Sequence, residues 1–325
     1  LSSSGFTGLV LSLVLSCQVN ASSDLATRKT LFVLLDGIPA DVIERVETPN
    51  LDLISGEGGY TRAYVGGEVG GDSESPTVSA VSYQSLLTGT WANKHNVWNN
   101  RVSNPDYGYW GIFRIAKAHD PSLHTALFST WEDNRTRLIG DGLDAAGGMK
   151  LDHYVDGMEN DQKRFPIAPD SGNIKNIDTF VASQAADYIA AHGPDLTWVY
   201  LQYTDDMGHR YGESTEFDAA VRFADDLMGD IWQSIQARQA KSGENWLVVV
   251  TTDHGRKEKD GKGHGGQSSR ERTTWIVTNS TCRNDRYYKT PGIVDILPSI
   301  VEHMKITMPE KIRRHLDGAS FLDCP

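Results

Sequence analysis

Apolar residues along the chain fall into two kinds of run. Thr30-Leu31-Phe32-Val33-Leu34-Leu35, Leu196-Thr197-Trp198-Val199-Tyr200-Leu201 and Trp246-Leu247-Val248-Val249-Val250 show no regular polar alternation. Such β-branched and aromatic runs suit strands buried on both faces of a parallel sheet. Thr125-Ala126-Leu127-Phe128 and Thr274-Trp275-Ile276-Val277 are weaker runs of the same kind. Between them, Phe217, Val221, Ala224, Leu227, Met228, Ile231 and Ile235 recur at helical spacing, as do Ile177, Val181, Ala185, Tyr188 and Ile189; these stripes read as helix faces packed on the sheet. Strand and helix in alternation predict an α/β fold, a doubly wound and largely parallel central sheet flanked by helices. Residues 131–175, rich in Gly, Asp and Asn, break the rhythm. They are expected to form a long loop or small insertion near the functional edge, within a single domain spanning 24–325.

The N-terminal residues carry a different pattern. Leu9 to Leu15 is an apolar core too short to span a bilayer, and Val19-Asn20-Ala21 supplies small residues before a cleavage point. Residues 1–23 are therefore expected to be a secretory signal, incomplete at its start, which implies a secreted protein, extracellular or periplasmic. Val14-Leu15-Ser16-Cys17 also fits a lipoprotein box that would acylate Cys17; this is the second reading. Without the signal two cysteines remain, Cys282 and Cys324. An exported chain can join such a pair as a disulfide, and two buried thiols is the plainer alternative. Asn134-Arg135-Thr136 and Asn279-Ser280-Thr281 are glycosylation sequons, relevant in a eukaryotic host. Neither a transmembrane segment in the mature chain nor a glycolipid anchor is expected.

A formal net charge of -12 disfavours general nucleic-acid binding and anionic membranes, both of which need a basic surface. A phosphate ester remains compatible if bound cations supply the positive charge.

The buried runs point at such cations. Three of them lead into aspartates, Asp36, Asp205 and Asp253, and parallel strands bring their carboxyl ends to one edge, where ligands bind in open α/β sheets. Asp253 is followed by His254, and His264 lies among Gly263, Gly265 and Gly266. Asp205 and His209 are four apart, so one helical turn would aim both at a common ion, with Asp206 as a competitor three apart. Six candidate ligands suffice for two ions. Mixed carboxylate and imidazole donors favour Zn²⁺, with Mn²⁺ the second choice. The bland alternative is turn aspartates and surface histidines. A hydroxyl nucleophile could come from the stretch Ser73–Gly89, where Thr77, Ser79 or Ser82 would sit at a helix N-terminus favourable to an anion, or serve as a plain cap.

In these motifs and their order the chain resembles the alkaline phosphatase superfamily, most of all its nucleotide pyrophosphatase/phosphodiesterase branch. The matching elements are Leu35-Asp36-Gly37, Leu87-Thr88-Gly89, Asp205 to His209, Asp253-His254-Gly255 and Gly263-His264-Gly265. The resemblance implies a nucleophile ten residues before Gly89, at Ser79. It implies one ion held by Asp205, His209 and His264, and another held by Asp36, Asp253, His254 and the Ser79 oxygen. It also implies an amide donor to a phosphate oxygen at Asn100, with Asn99 the neighbouring alternative. The activity implied is hydrolysis of a small phosphate ester, as a type I phosphodiesterase or nucleotide pyrophosphatase, through a phosphoseryl intermediate. Two departures bear on it. Phosphodiesterase members place Thr in a Thr-Phe-Pro-Asn pattern where this chain has Ser79-Ala80-Val81-Ser82. Sulfatases of the superfamily follow Cys or Ser with x-Pro-x-Arg, and here those positions are Val81 and Tyr83. Sulfatase, phosphomonoesterase or phosphonate hydrolase activity is the runner-up, and an inactive binding module on the same scaffold is the alternative from another class. Gly66 to Trp91 contains no Arg or Lys, and Glu68, Asp72 and Glu74 make it acidic, which favours a singly charged diester over a dianionic monoester unless Lys94 or Arg101 points inward.

Overall fold

The computed structural model describes residues 27–324; the expected signal and Cys17 lie outside them. Seven strands form one sheet: β1 (Arg28–Leu35), β2 (Gly59–Tyr64), β3 (Thr125–Ser129), β4 (His153–Val155), β5 (Leu196–Leu201), β6 (Asn245–Thr251) and β7 (Thr273–Thr278), in the order β2-β7-β6-β1-β5-β3-β4. β1 lies at the centre, parallel to β5 and β6 on its two sides, and β3 and β4 continue the parallel set. β7 runs antiparallel to both β6 and β2. The segment joining β6 to β7 returns along the same edge without a crossover, which antiparallel pairing permits. That connection is the one carrying Asp253 and His264.

The predicted α/β architecture is thus present, and the strand residues show why the runs lack polar alternation. Leu31, Val33 and Leu35 pack with Val199, Val248 and Val250 against the helices Gly172–His192 and Thr215–Ser242. Phe32 and Leu34 pack with Trp198, Leu247 and Val249 against the helices Ser79–Thr88, Ile112–His119 and Ile296–Met304. Both faces are covered, so both parities of each strand are apolar.

Three features were not visible in the sequence. Residues 131–175 are not wholly irregular: they contain a π-helix over Asn134–Ile139 and the edge strand β4, which pairs with β3 through Ala126 and His153. A three-residue, half-exposed strand is too short to show a period. β2 was likewise hidden, because its exposed Tyr60 and Arg62 give it a polar, edge-strand composition. Third, both sequons are committed to the fold. Asn134 is fully buried and its Nδ2 donates to Ser129 Oγ at 3.0 Å. Asn279 closes the β6 ladder, accepting from Val248 N and donating to Trp246 O, each at 2.8 Å. A glycan on either amide would break these bonds.

Cys282 and Cys324 are joined as a disulfide, with Cα atoms 5.1 Å apart, tying the C-terminal residues to the segment after β7. Among the described residues no helix is long and apolar enough to cross a membrane.

Candidate active site

Register alone brings two of the three aspartates together. Leu34 of β1 is paired with Thr251 of β6, so the chains leave the sheet side by side at Asp36 and Asp253. The Gly37 N–H, presented by a left-handed turn with φ of 67°, donates to Asp253 Oδ1 at 3.0 Å. Two phenols fix the other carboxylate: Tyr83 OH and Tyr200 OH donate to Asp36 Oδ2 at 2.5 and 2.7 Å. Each aspartate therefore has one oxygen anchored, while Asp36 Oδ1 and Asp253 Oδ2 are buried without a hydrogen-bond partner. His254 Nε2 lies 3.2 Å from Asp253 Oδ2 and 3.5 Å from Asp36 Oδ1. Its Nδ1 is 2.9 Å from Gly255 O, and a carbonyl can only accept, so the proton sits on Nδ1 and the Nε2 lone pair faces the two free oxygens.

The electrostatics agree with the geometry. Burial pushes the Asp36 carboxyl well up, and the charges of Asp253 and Asp205 push it further. Asp253 is pushed up to about 6 by burial, and His254 down to about 4 by the same cause. Two orphaned carboxylate oxygens and an imidazole lone pair, all held apart from water, have the donor chemistry of a divalent-cation site.

A second group stands beside the first. Asp205 and His209 lie on the helix Tyr203–Tyr211, which begins directly beyond β5, with Asp205 Oδ2 3.2 Å from His209 Nε2. His264 Nδ1 donates to Thr77 O at 2.9 Å, leaving its Nε2 3.1 Å from His209 Nε2, and its ring stacks on His254 at 3.6 Å. Burial and the neighbouring His254 lower His264 to about 4, whereas the bond to Asp205 raises His209. Burial alone would raise Asp205, but the Arg256 charge together with His209 and His254 outweighs it and holds the carboxyl far below the usual range. In each triple, Asp36–Asp253–His254 and Asp205–His209–His264, the donor atoms lie within 4.8 Å of one another. Asp206 does not join them; its Oδ1 accepts from Gln202 Nε2 at 3.1 Å.

Of the three hydroxyls left open by the sequence, the structure brings Ser79 to this place. It is the first residue of the helix Ser79–Thr88, and its Oγ is 3.3 Å from His254 Nε2. Thr77 is instead bound into the loop, donating to Gly266 O and accepting from Gly265 N. Ser82 lies a turn further along the helix and is buried. Asn100 Oδ1 accepts from Ala80 N at 3.0 Å, which sets its amide next to Ser79, while Asn99 Oδ1 caps its own turn at Arg101 N. Lys94 is held by Asp317 and His315 O, and Lys257, Lys259 and Lys262 are exposed.

Four supporting residues escaped the sequence reading. Tyr83 is four residues after Ser79 on the same helix face, and Tyr200 is a phenol in an otherwise apolar strand. Asp178 lies in the core stripe of the helix Gly172–His192 and accepts from Gln202 N and Tyr203 N, at the start of the helix that bears Asp205. Arg256, completely buried, pairs with Asp205. The signals were a buried acid in an apolar stripe and a lone arginine in a lysine-rich loop.

Known proteins share this arrangement of segments. The profile of the type I phosphodiesterase / nucleotide pyrophosphatase family matches residues 30–281. Human ectonucleotide pyrophosphatase/phosphodiesterase family member 7 is 27% identical over 241 residues, covering 70% of this chain and 47% of the human protein; this chain thus spans about half the length of that relative. The phosphonate monoester hydrolase of Agrobacterium radiobacter superposes with a TM-score of 0.61 at 14% identity, over 90% of this chain and 76% of its own. Murine ectonucleotide pyrophosphatase/phosphodiesterase 5, solved in complex with AMP, gives a TM-score of 0.59 at 13% identity, over 87% and 96% respectively. The structural likenesses establish a common fold, and the profile, which takes in β1 from Thr30 onward and every ligand-type residue described above, shows that the chain belongs to the type I phosphodiesterase/nucleotide pyrophosphatase family.

Proposed function

We propose that this protein hydrolyses small phosphodiesters or pyrophosphates, with Ser79 as the nucleophile and two divalent cations, Zn²⁺ by preference, held by the two ligand triples. The observation that carries this reading is the convergence of Ser79 Oγ, His254 Nε2 and the two unpartnered carboxylate oxygens of Asp36 and Asp253. Both triples mix carboxylate and imidazole donors, and the fixed Nδ1–H tautomers of His254 and His264 leave Nε2 free to coordinate. Divalent cations there supply Lewis acidity, acidifying a hydroxyl and neutralising charge on a phosphoryl group. Ser79 Oγ attacks phosphorus, the ester oxygen leaves and takes up a proton, and a phosphoserine remains. Water then attacks that phosphorus and returns the Ser79 hydroxyl. The Asn100 amide, with its oxygen turned to Ala80 N, presents its NH₂ to a non-bridging oxygen.

Diester preference is supported by the charge around Ser79. Lys94 is turned to Asp317, Arg256 to Asp205, and Arg272 binds the carbonyls of Gly66 and Gly67, so these cations are engaged by the protein itself. Export to an oxidising compartment is supported by the disulfide and by the apolar N-terminal run. The test is kcat/KM of zinc-loaded protein for an aryl phosphodiester, its monoester, a phosphonate and a sulfate, with Ser79→Ala as control. The diester is expected to lead, and Ser79→Ala to lose about 10³-fold or more. A monoester advantage of about a hundredfold would reassign the substrate, and full turnover by Ser79→Ala would remove the nucleophile.

A further inference from the structure

Arg256 is placed so that it touches one ligand triple and not the other. Its guanidinium is completely buried, with Nε donating to Gly37 O at 2.9 Å, Nη1 to Lys262 O at 3.4 Å, and Nη2 to Asp205 O at 2.9 Å and to Asp205 Oδ1. It thereby joins the exits of β1 and β5 to the loop that leads to His264. The backbone makes room for it twice. A Cβ at position 208 would come within 2.1 Å of Arg256 Cζ, and one at position 37 within 2.6 Å of Nη2, so glycine at both is a condition for the arginine. This is a built-in cation.

Its position makes the two triples electrostatically unlike. Asp36, Asp253 and His254 are at most 2% exposed, carry two carboxylates, and offer two carboxylate oxygens with no other partner. Asp205, His209 and His264 carry one carboxylate, and that charge is already matched by Arg256. Oδ1 of Asp205 is committed to the guanidinium, and the His209 side chain is 48% exposed. A divalent ion at the first triple meets a formal charge of two minuses; at the second it meets none, and has a fixed positive neighbour.

We propose that the two sites are unequal by construction: Asp36–Asp253–His254 holds its ion tightly, Asp205–His209–His264 holds the second loosely and exchangeably, and Arg256 sets the difference. This rests on the two-ion reading above. Occupancy of the second site, and with it turnover, then follows the free divalent-ion concentration while the first site stays filled. Arg256 acts as a positioning residue for Asp205 and as the fixed charge that weakens the ion beside it.

The experiment is equilibrium dialysis of the chelator-stripped full chain against buffered Zn²⁺, with bound metal counted directly and no activity measured. Two uptake steps separated by about a hundredfold or more in affinity are expected. His209→Ala should remove the weaker step and keep the tighter one; Asp253→Asn should remove the tighter one. Arg256→Met should narrow the separation by about tenfold or more, and Arg256→Lys, which keeps the charge, should preserve it. Two ions taken up with equal affinity, or loss of the tight step in His209→Ala, would overturn the inequality while leaving the two-ion reading intact. An Arg256→Met protein with an unchanged separation would overturn the role of Arg256. If that variant fails to fold, the wild-type and His209→Ala isotherms still decide the inequality. No zinc uptake by the wild-type chain would end both readings.

Discussion

At the N-terminal edge of the sheet Lys29 donates to Asp195 Oδ1 at 2.6 Å and to Gly193 O at 2.5 Å, Asp195 Oδ2 accepts from His124 N, and His303 Nε2 meets Lys29 O at 3.1 Å. The same β1, eight residues long, leads at its other end into Asp36, where one carboxylate oxygen is buried with no partner. The first edge gathers a buried cation with its counter-ion. The second gathers three carboxylates, of which Asp205 alone is paired with a guanidinium while Asp36 and Asp253 each keep an unpartnered oxygen, an arrangement that works against folding in the absence of a cation. One strand thus carries an end whose charge is paired and an end whose carboxylate is partly orphaned, and substitutions at the two should have opposite signatures.

The strongest test of that difference is Asp253→Asn. The amide keeps an oxygen for the Gly37 N–H but removes an anion, so hydrolysis should fall by about 10³-fold. Stability in chelator should move the other way. Asp253 is pushed up to about 6 from 3.8 by burial, so the folded state binds more protons between those values. Its ionisation therefore costs the metal-free fold stability above about pH 6, on the order of 3 kcal/mol. Urea midpoints at pH 8 with EDTA should be higher for Asp253→Asn than for wild type. A lower midpoint would show that the carboxylate is not strained, and the contrast between the edges would go.

Asp195→Ala is the counterpart. The Lys29 side chain is 8% exposed, and stripping its counter-ion leaves a buried charge, at a cost of about 3 kcal/mol. Turnover at 25 °C should not change, because the residue lies at the opposite end of β5 from the site. Equal loss of kcat/KM and stability in this variant would mean the two ends are coupled.

The pH dependence separates them next. Burial lowers His303 to about 4 from 6.5, so the unfolded chain binds more protons between those values. The stability tied to neutral His303 is fully present above about pH 6.5 and is lost as pH falls towards 4, roughly 3 kcal/mol across the window. His303→Gln should flatten the slope of unfolding free energy between pH 6.5 and 4.5, equally with and without zinc. A zinc-dependent difference would place the effect at His254 and His264 instead.

The sequence revealed the elements of this contrast better than their wiring. Buried strands were legible because both faces of β1, β5 and β6 are covered, and the ligand-type residues followed from where those runs stop. β2 and β4 were not legible, since a half-exposed edge strand has no uninterrupted apolar run. The partners that fix the ligands were hidden for another reason. Tyr83 pairs with Asp36 across 47 positions and Asp178 reaches the turn before Asp205 across 24, and neither spacing is periodic. Arg256 stood in plain view beside His254, but only the packed structure separates a buried guanidinium from the exposed lysines that follow it.

The smallest and most diagnostic effect concerns Tyr83. Asp36 Oδ2 takes two phenol bonds, one from Tyr83 on the Ser79 helix and one from Tyr200 on β5. Either alone can orient the carboxylate, so Tyr83→Phe and Tyr200→Phe should each cost only about 1–2 kcal/mol of stability in the zinc-loaded protein. The rings are retained: Tyr83 packs on Tyr200 with centroids 5.1 Å apart and edge-on to Trp198 at 6.4 Å, contacts a phenylalanine can keep. The two variants should part in kinetics. Tyr83 alone of the pair is carried by the helix that starts at Ser79, the proposed nucleophile, so its hydroxyl ties that helix to the end of β1. Tyr83→Phe should lower kcat about tenfold with KM little changed, and Tyr200→Phe should fall less. The double variant should lose more than the sum, because only then is Asp36 Oδ2 left without a donor. Equal kcat for the two single variants would show that the Tyr83 hydroxyl holds the carboxylate and nothing more.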